Sequence, residues 1–224
     1  MFMFDDIIEI NKRLFYDIWN LADTSPNSIK GLSPKLIIPQ RRDGSNRISE
    51  QEARFLFASL LGSFNYFYSV ETPTEETYIQ SGNRPMSASS DVSLYKNENS
   101  TPKKILNIEF KAHNPPKEHI KKDIEKLLRE NVPGCWIHLF KNVDSNTIPS
   151  LFKKFKDSIF ELNNKKNQSK ILFSICIIEK KVAIQKLLNI SENDIDGFFD
   201  FSYSIKNGNI SILKPNDWLV YSKI

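Results

Sequence analysis

Only two cysteines, Cys135 and Cys176, occur among the 224 residues, and each lies inside an apolar run. In such a setting cysteine packs as a small hydrophobe, so free thiols in a reducing compartment are expected rather than a disulfide. Long hydrophobic runs are lacking as well. The longest, Ile171 to Ile178, is interrupted by Ser174, whereas a membrane-spanning helix needs about 20 apolar residues. The opening Met-Phe-Met-Phe-Asp-Asp has no basic segment of the kind that begins a secretory signal, and a cytoplasmic protein is the expectation. Of the three histidines, His113 and His119 form a lone pair with no cysteine or third histidine near them, which makes a poor zinc signature. His138, inside Cys-Trp-Ile-His-Leu-Phe, is expected to be a hydrogen-bonded core residue. Internal repeats and low-complexity domains are missing too. Neither sign of charge dominates: 31 basic residues against 27 acidic ones leave +4, a mild bias compatible with a polyanionic partner without singling one out. What the chain does have is 40% hydrophobic and 12% aromatic content, enough for one well-packed core.

The most informative stretch runs from Ser87 to Lys111. Ser-Ala-Ser-Ser-Asp-Val-Ser-Leu-Tyr and Lys-Lys-Ile-Leu-Asn-Ile-Glu-Phe-Lys both alternate with period two, and Asn97 to Lys103 between them carries turn residues. Two neighbouring strands joined by a turn are predicted. On the second strand Glu109 and Lys111 project from one face, and Leu106, Ile108 and Phe110 from the other. If the strands pair, Asp91 lies beside Glu109 and Lys111. Two carboxylates and an ammonium then share a small surface, the chemistry suited to a hard divalent cation and an attacking water.

Asp91 followed by Glu109-Phe110-Lys111 resembles the signature of the PD-(D/E)XK, or restriction-endonuclease-like, phosphodiesterases. The signature's proline is replaced, since Ser90 precedes Asp91. The resemblance implies an α/β fold with an αβββαβ core, here about residues 48–141, and a mixed central sheet flanked by helices. Around that core the single domain carries a helix and loop over 1–47 and an α/β extension over 142–224. It also implies a metal-dependent nuclease. Asp91, Glu109 and the Phe110 carbonyl would hold one or two Mg²⁺, with Mn²⁺ able to substitute, and Lys111 would orient or activate the water. An acidic residue on the helix before the sheet completes such sites, and Glu50 and Glu52 are both candidates. Ser49 three residues before Glu52 forms a capping-box pattern; at about 100° per residue, Glu50 lies nearer the middle of the apolar stripe Ala53, Leu56, Phe57, Leu60 and Leu61. Lys121 and Lys122, on the helix after the Lys111 strand, are the implied phosphate contacts.

The remaining elements follow from pattern. Phe4 to Leu21 reads as an amphipathic helix with acidic residues in its first turn, and it is a candidate dimer or partner interface. Asp23 to Asn46 is an extended connection with at most a short strand at Leu36 to Ile38; Arg41, Arg42 and Arg47 surround its Asp43-Gly44 turn, either solvated or meeting phosphates. Phe64 to Val70 is a predicted strand ended by Glu71-Thr72-Pro73-Thr74, with Glu71 solvated or reaching the site. A helix over Lys117 to Glu130, its charged residues on a polar face, leads to a strand at Gly134 to Lys141 parallel to the Glu109 strand. A helix over Pro149 to Leu162, a buried strand over Ile171 to Ile178, a helix over Glu179 to Asn189, and strands over Phe198 to Ile205, Asn209 to Leu213 and Trp218 to Tyr221 complete the expectation. The functional expectation is a DNA endonuclease, by analogy in restriction or other defence. The alternatives are a non-catalytic binding subunit on the same fold and a ribonuclease.

Overall fold

The computed structural model describes residues 2–23, 36–79, 85–162, 170–190, 195–206, 209–214 and 216–223. Pro26 and Pro34, the turn expected over Ser81 to Arg84, the loop expected over 163–169 and the hairpin turn expected at Asn207-Gly208 lie outside the described residues. In chain order the elements are α1 (Phe2–Asp23), α2 (Glu50–Leu61), β1 (Phe67–Ile79), β2 (Pro85–Glu98), β3 (Thr101–Ala112), α3 (Lys117–Arg129) and β4 (Gly134–Phe140). Then come α4 (Thr147–Glu161), β5 (Lys170–Ile177), β6 (Val182–Asn189), the one-turn α5 (Ile195–Phe198), β7 (Ser202–Lys206), β8 (Asn209–Lys214) and β9 (Leu219–Ser222). No described helix is long and apolar enough to cross a membrane.

The chain is an α/β protein with a mixed seven-stranded sheet in the order β1-β2-β3-β4-β5-β6-β9. β1, β2 and β3 are antiparallel; β3, β4 and β5 run parallel; β5, β6 and β9 are again antiparallel. Period-two alternation sorts the side chains of β3: Leu106, Ile108 and Phe110 join α1 and α2 in one apolar layer. Trp136, Phe140, Phe173 and Ile175 join α3 and α4 in the layer on the opposite face. Helices thus cover both faces, and the parallel strands β4 and β5 are buried nearly throughout.

Several elements depart from the sequence reading. β1 does not stop at Val70 but continues to Ile79. Pro73 is tolerated because β1 is an edge strand, where a missing N–H removes no ladder bond. The loop expected over Asn97 to Lys103 shrinks to Asn99-Ser100, both at positive φ of 52° and 65°, the backbone a tight hairpin turn requires. No strand forms at Leu36 to Ile38; a single bridge between Gln40 and Asn46 closes the Gly44 turn instead. Glu179 to Asn189 is not a helix: Lys181 at φ 50° turns the chain, and Val182 pairs back on Ile177 as the start of β6. Its apolar residues are buried on both faces and so carry no period-two signal. Phe198 closes α5 rather than opening a strand. Lys126, Asp123 and Glu130, expected on the solvated face of α3, are 5%, 5% and 0% exposed.

Three contacts fix the helices. Phe57 of α2 meets Phe110 of β3 edge to face, with ring centroids 5.7 Å apart. α3 crosses the start of β4 so closely that a Cβ on Gly134 would lie 2.8 Å from Leu127 Cβ, which only glycine permits. Under α1, buried Asn11 donates from Nδ2 to Ser174 Oγ at 2.9 Å and Gln185 Oε1 at 3.2 Å, while Gln185 Nε2 donates to the Ile8 carbonyl at 3.0 Å.

Glu130, at the end of α3, ties the irregular part of β1 to the body. Its carboxylate accepts the N–H groups of Glu75 and Glu76 at 3.1 Å each, the Tyr78 hydroxyl at 3.2 Å and Lys104 Nζ at 3.4 Å. Replacing Glu130 by Gln should lower stability by on the order of 2 kcal/mol, because charge-assisted bonds are lost in a buried setting. Urea unfolding checks this; an unchanged midpoint would show that the carboxylate does not brace the strand.

Candidate active site

The ladder between β2 and β3 ends at Val92 and Ile108. Beyond that pair the strands part, and Asp91 takes over: its Oδ2 accepts the Phe110 N–H at 2.7 Å. Register puts Glu109 next to Asp91 on β3. On the other side, the pairs Val70–Val92 and Thr72–Ser90 bracket Glu71 opposite Asp91 on β1. Three carboxylates, Glu71, Asp91 and Glu109, are therefore level with one another across three adjacent strands, an arrangement of like charges that repels unless cations intervene.

Three cations do. From α2, Arg54 NH2 lies 2.5 Å from Asp91 Oδ1 and 4.0 Å from Glu50 Oε2, and its NH1 lies 2.7 Å from Glu71 Oε1. From α3, Lys126 Nζ lies 2.7 Å from Glu109 Oε1 and 2.9 Å from Asp123 Oδ1, and donates to the Ser89 carbonyl at 2.9 Å. Lys111 Nζ meets Asp123 Oδ2 at 2.8 Å. Five carboxylates (Glu50, Glu71, Asp91, Glu109 and Asp123) share three cations.

Burial dominates the electrostatics. It raises the pKa of Asp91, against the Phe110 N–H and the charges of Arg54, Lys111 and Lys126. Glu109 is fully buried, and that burial pushes its pKa well above the usual carboxylate range; Asp123 and Asp91 add to the rise and Lys126 opposes it. Lys126 pairs with Oε1, and Oε2 has no hydrogen-bond partner among the described residues. For Lys111, burial pulls the pKa down, but Asp123, Glu50 and Asp91 outweigh it and the net shift is upward. Its acidic neighbours thus favour the charged form of Lys111.

The structure brings together Asp91, Glu109 and Lys111, and it separates the two helix candidates. Glu50 Oε1 accepts the Ala112 N–H at 3.2 Å at the end of β3. Glu52 accepts the Ser49 hydroxyl instead. Ser49 makes no side-chain cap bond to the helix backbone, so the two side chains bond each other in place of the backbone bonds of a capping box. Phe110 turns its ring into the core. Arg41, Arg42 and Arg47 are exposed on the Gly44 loop. Lys121 pairs at 2.5 Å with Glu161 of α4 rather than facing the carboxylates, and Lys122 is exposed. Sequence reasoning passed over Lys126 and Asp123 as solvated, yet they are three positions apart on the stripe of Ile120, Ile124 and Leu127. That spacing was the available signal.

Among the described residues no group of three or more His, Cys, Asp or Glu side chains is arranged to hold a metal by itself. Mg²⁺ needs less, commonly one or two carboxylates completed by waters and substrate phosphates. Glu109 Oε2, without a partner among the described residues, and the surplus of carboxylates over cations fit such an ion. Set against protein-family models, curated proteins and solved structures, the chain matches none.

His138, beside Lys111 in the β3–β4 register, is the core residue expected: Nε2 bonds the His113 carbonyl at 2.7 Å and Nδ1 accepts Trp136 Nε1–H at 3.3 Å. Burial first, then the nearby charge of Lys111, lowers its pKa from 6.5 to about 3 against the His113 bond. Between those values the unfolded chain binds a proton that the folded one does not, so stability falls as pH drops through that window. His138→Gln should flatten the pH dependence of stability there. Unfolding at stepped pH checks it, and an unaltered slope would place the titration elsewhere.

Proposed function

We propose that the chain is a metal-dependent phosphodiesterase acting on nucleic acid, a DNA endonuclease built on a restriction-endonuclease-like core of α2, β1–β3, α3 and β4. The observation that carries this reading is the convergence of Asp91, Glu109 and Lys111 where β2 and β3 part, with Glu109 Oε1 paired to Lys126 and Oε2 without a partner among the described residues. A Mg²⁺ or Mn²⁺ held by Asp91 and Glu109, with Glu50 at the margin, would supply Lewis-acid polarisation of a phosphate and a more acidic bound water.

The side chains do the rest. The Phe110 N–H holds the Asp91 carboxylate in one orientation, and Lys126 holds Glu109 from behind. Asp123 fixes the Lys111 ammonium, so its charge is preorganised to orient an attacking water and to stabilise negative charge growing on the phosphate. The exposed Arg41, Arg42, Arg47 and Lys122 are available for the polyanion's backbone.

One observation favours a second reading. Asp91 and Glu109 already carry Arg54 and Lys126, as they would in a non-catalytic binding subunit whose charges serve only the fold. Cleavage assays with duplex DNA, single-stranded DNA and RNA in Mg²⁺ separate the two. The wild type should cut, with duplex DNA preferred, and Asp91→Asn and Lys111→Ala should each lose about a hundredfold or more in rate when assayed at a temperature at which circular dichroism shows each variant folded, since both substitutions also break buried ion pairs. Preference for RNA would make the chain a ribonuclease. Cleavage that survives both substitutions, or a wild type inert on every substrate, would sink the catalytic assignment.

A further inference from the structure

Asp91 has one oxygen committed to the Phe110 N–H, and the other, Oδ1, is occupied by Arg54 at 2.5 Å. A cation that takes Oδ1 competes with that guanidinium. Arg54 is suited to give way. It has a second anchor already in contact, Glu71 at 2.7 Å, and a third carboxylate, Glu50, at 4.0 Å. Its Nε is buried without a hydrogen-bond partner, so the group is not locked from every side. Lys126 differs: it is gripped by Glu109, Asp123 and the Ser89 carbonyl and is almost wholly buried.

Glu71 is built to receive the arginine. Its backbone, in the middle of β1, is at φ 48°, a left-handed conformation that a non-glycine residue keeps only when its surroundings impose it. Ser89 Oγ donates to its Oε2 at 2.9 Å, leaving Oε1 for Arg54. Its side chain is 59% exposed, against 16% for Arg54, so the pair marks the solvent-facing end of the carboxylate row.

We propose that Arg54 is the displaceable counter-ion of this row. It neutralises Asp91 while no divalent cation is bound; metal binding shifts it off Oδ1 onto Glu71 and Glu50, where its freed donors meet the phosphate. Arg54 is then a positioning residue that sets metal affinity, with Glu71 acting through it. This rests on the metal-dependent reading above.

The test is Mn²⁺ binding to the full chain by calorimetry, for the wild type, Asp91→Asn, Arg54→Gln, Glu71→Gln and the Arg54→Gln/Glu71→Gln double variant. Arg54→Gln should bind Mn²⁺ at least about fivefold more tightly, the lower end of an ordinary coupling between sites. Glu71→Gln, which removes the receiving anchor, should bind it more weakly, and that loss should vanish in the double variant because Glu71 acts through Arg54. Unchanged or weaker binding by Arg54→Gln overturns the proposal, as does a Glu71 effect that persists without Arg54. Should Arg54→Gln fail to fold, Glu71→Gln decides alone, and wild-type or tighter affinity overturns the proposal. A wild type that binds no Mn²⁺ removes the metal-dependent reading and this one with it. Wild-type binding that Asp91→Asn abolishes, with both other single variants unchanged, removes this one alone.

Discussion

Charge inside the sheet is the constraint on which the rest depends. Carboxylates on neighbouring strands at one level cannot coexist in a desolvated interior unless cations are brought to them, because the cost of burying an unpaired charge exceeds what any nearby packing returns. Here the cations come from two directions. α2 delivers Arg54 to the outer end of the row and α3 delivers Lys126 to the inner end. Neither helix can shift without uncovering an acid. The parting of β2 and β3 follows from the same need, since Asp91 takes with its side chain the N–H of Phe110, which lies beyond the last ladder pair.

The packing contacts acquire their meaning from this. The edge-to-face contact of Phe57 with Phe110 seats α2 over the end of β3, which lets Glu50 reach the Ala112 N–H and Arg54 reach Asp91. The bare Cα of Gly134 lets α3 sit low over β4, close enough for Asp123 and Lys126 to meet the side chains of β3. Apolar fit sets the distances over which the ionic contacts act.

Much of this was legible in the chain. Period two alone put Glu109 and Lys111 on one face, and the apolar stripe of α2 favoured Glu50 over Glu52. The intervening helix required β4 to run parallel to β3. Buried ions were harder to read. Lys126, Asp123 and Glu130 look like ordinary solvated charges until their partners on other elements are known, because a charged residue on an apolar stripe is legible only with its counter-charge. β6 was missed for a related reason: a strand buried on both faces loses its alternation, and its apolar residues then fit a helix equally well. Glu71 could be read as within reach of the site, but its place opposite Asp91, and the Arg54 contact that joins the two, depend on the β1–β2 register, which nothing local in the sequence encodes.

The Asn11–Ser174–Gln185 cluster has a consequence for synthesis. The first helix is seated by hydrogen bonds to β5 and β6, and Asp23 at its end is gripped by Lys181 and Lys223. These bonds join positions 163 and 174 apart in the sequence, so during synthesis α1 can pack its apolar stripe against α2 early but gains its polar partners only once β5 and β6 exist.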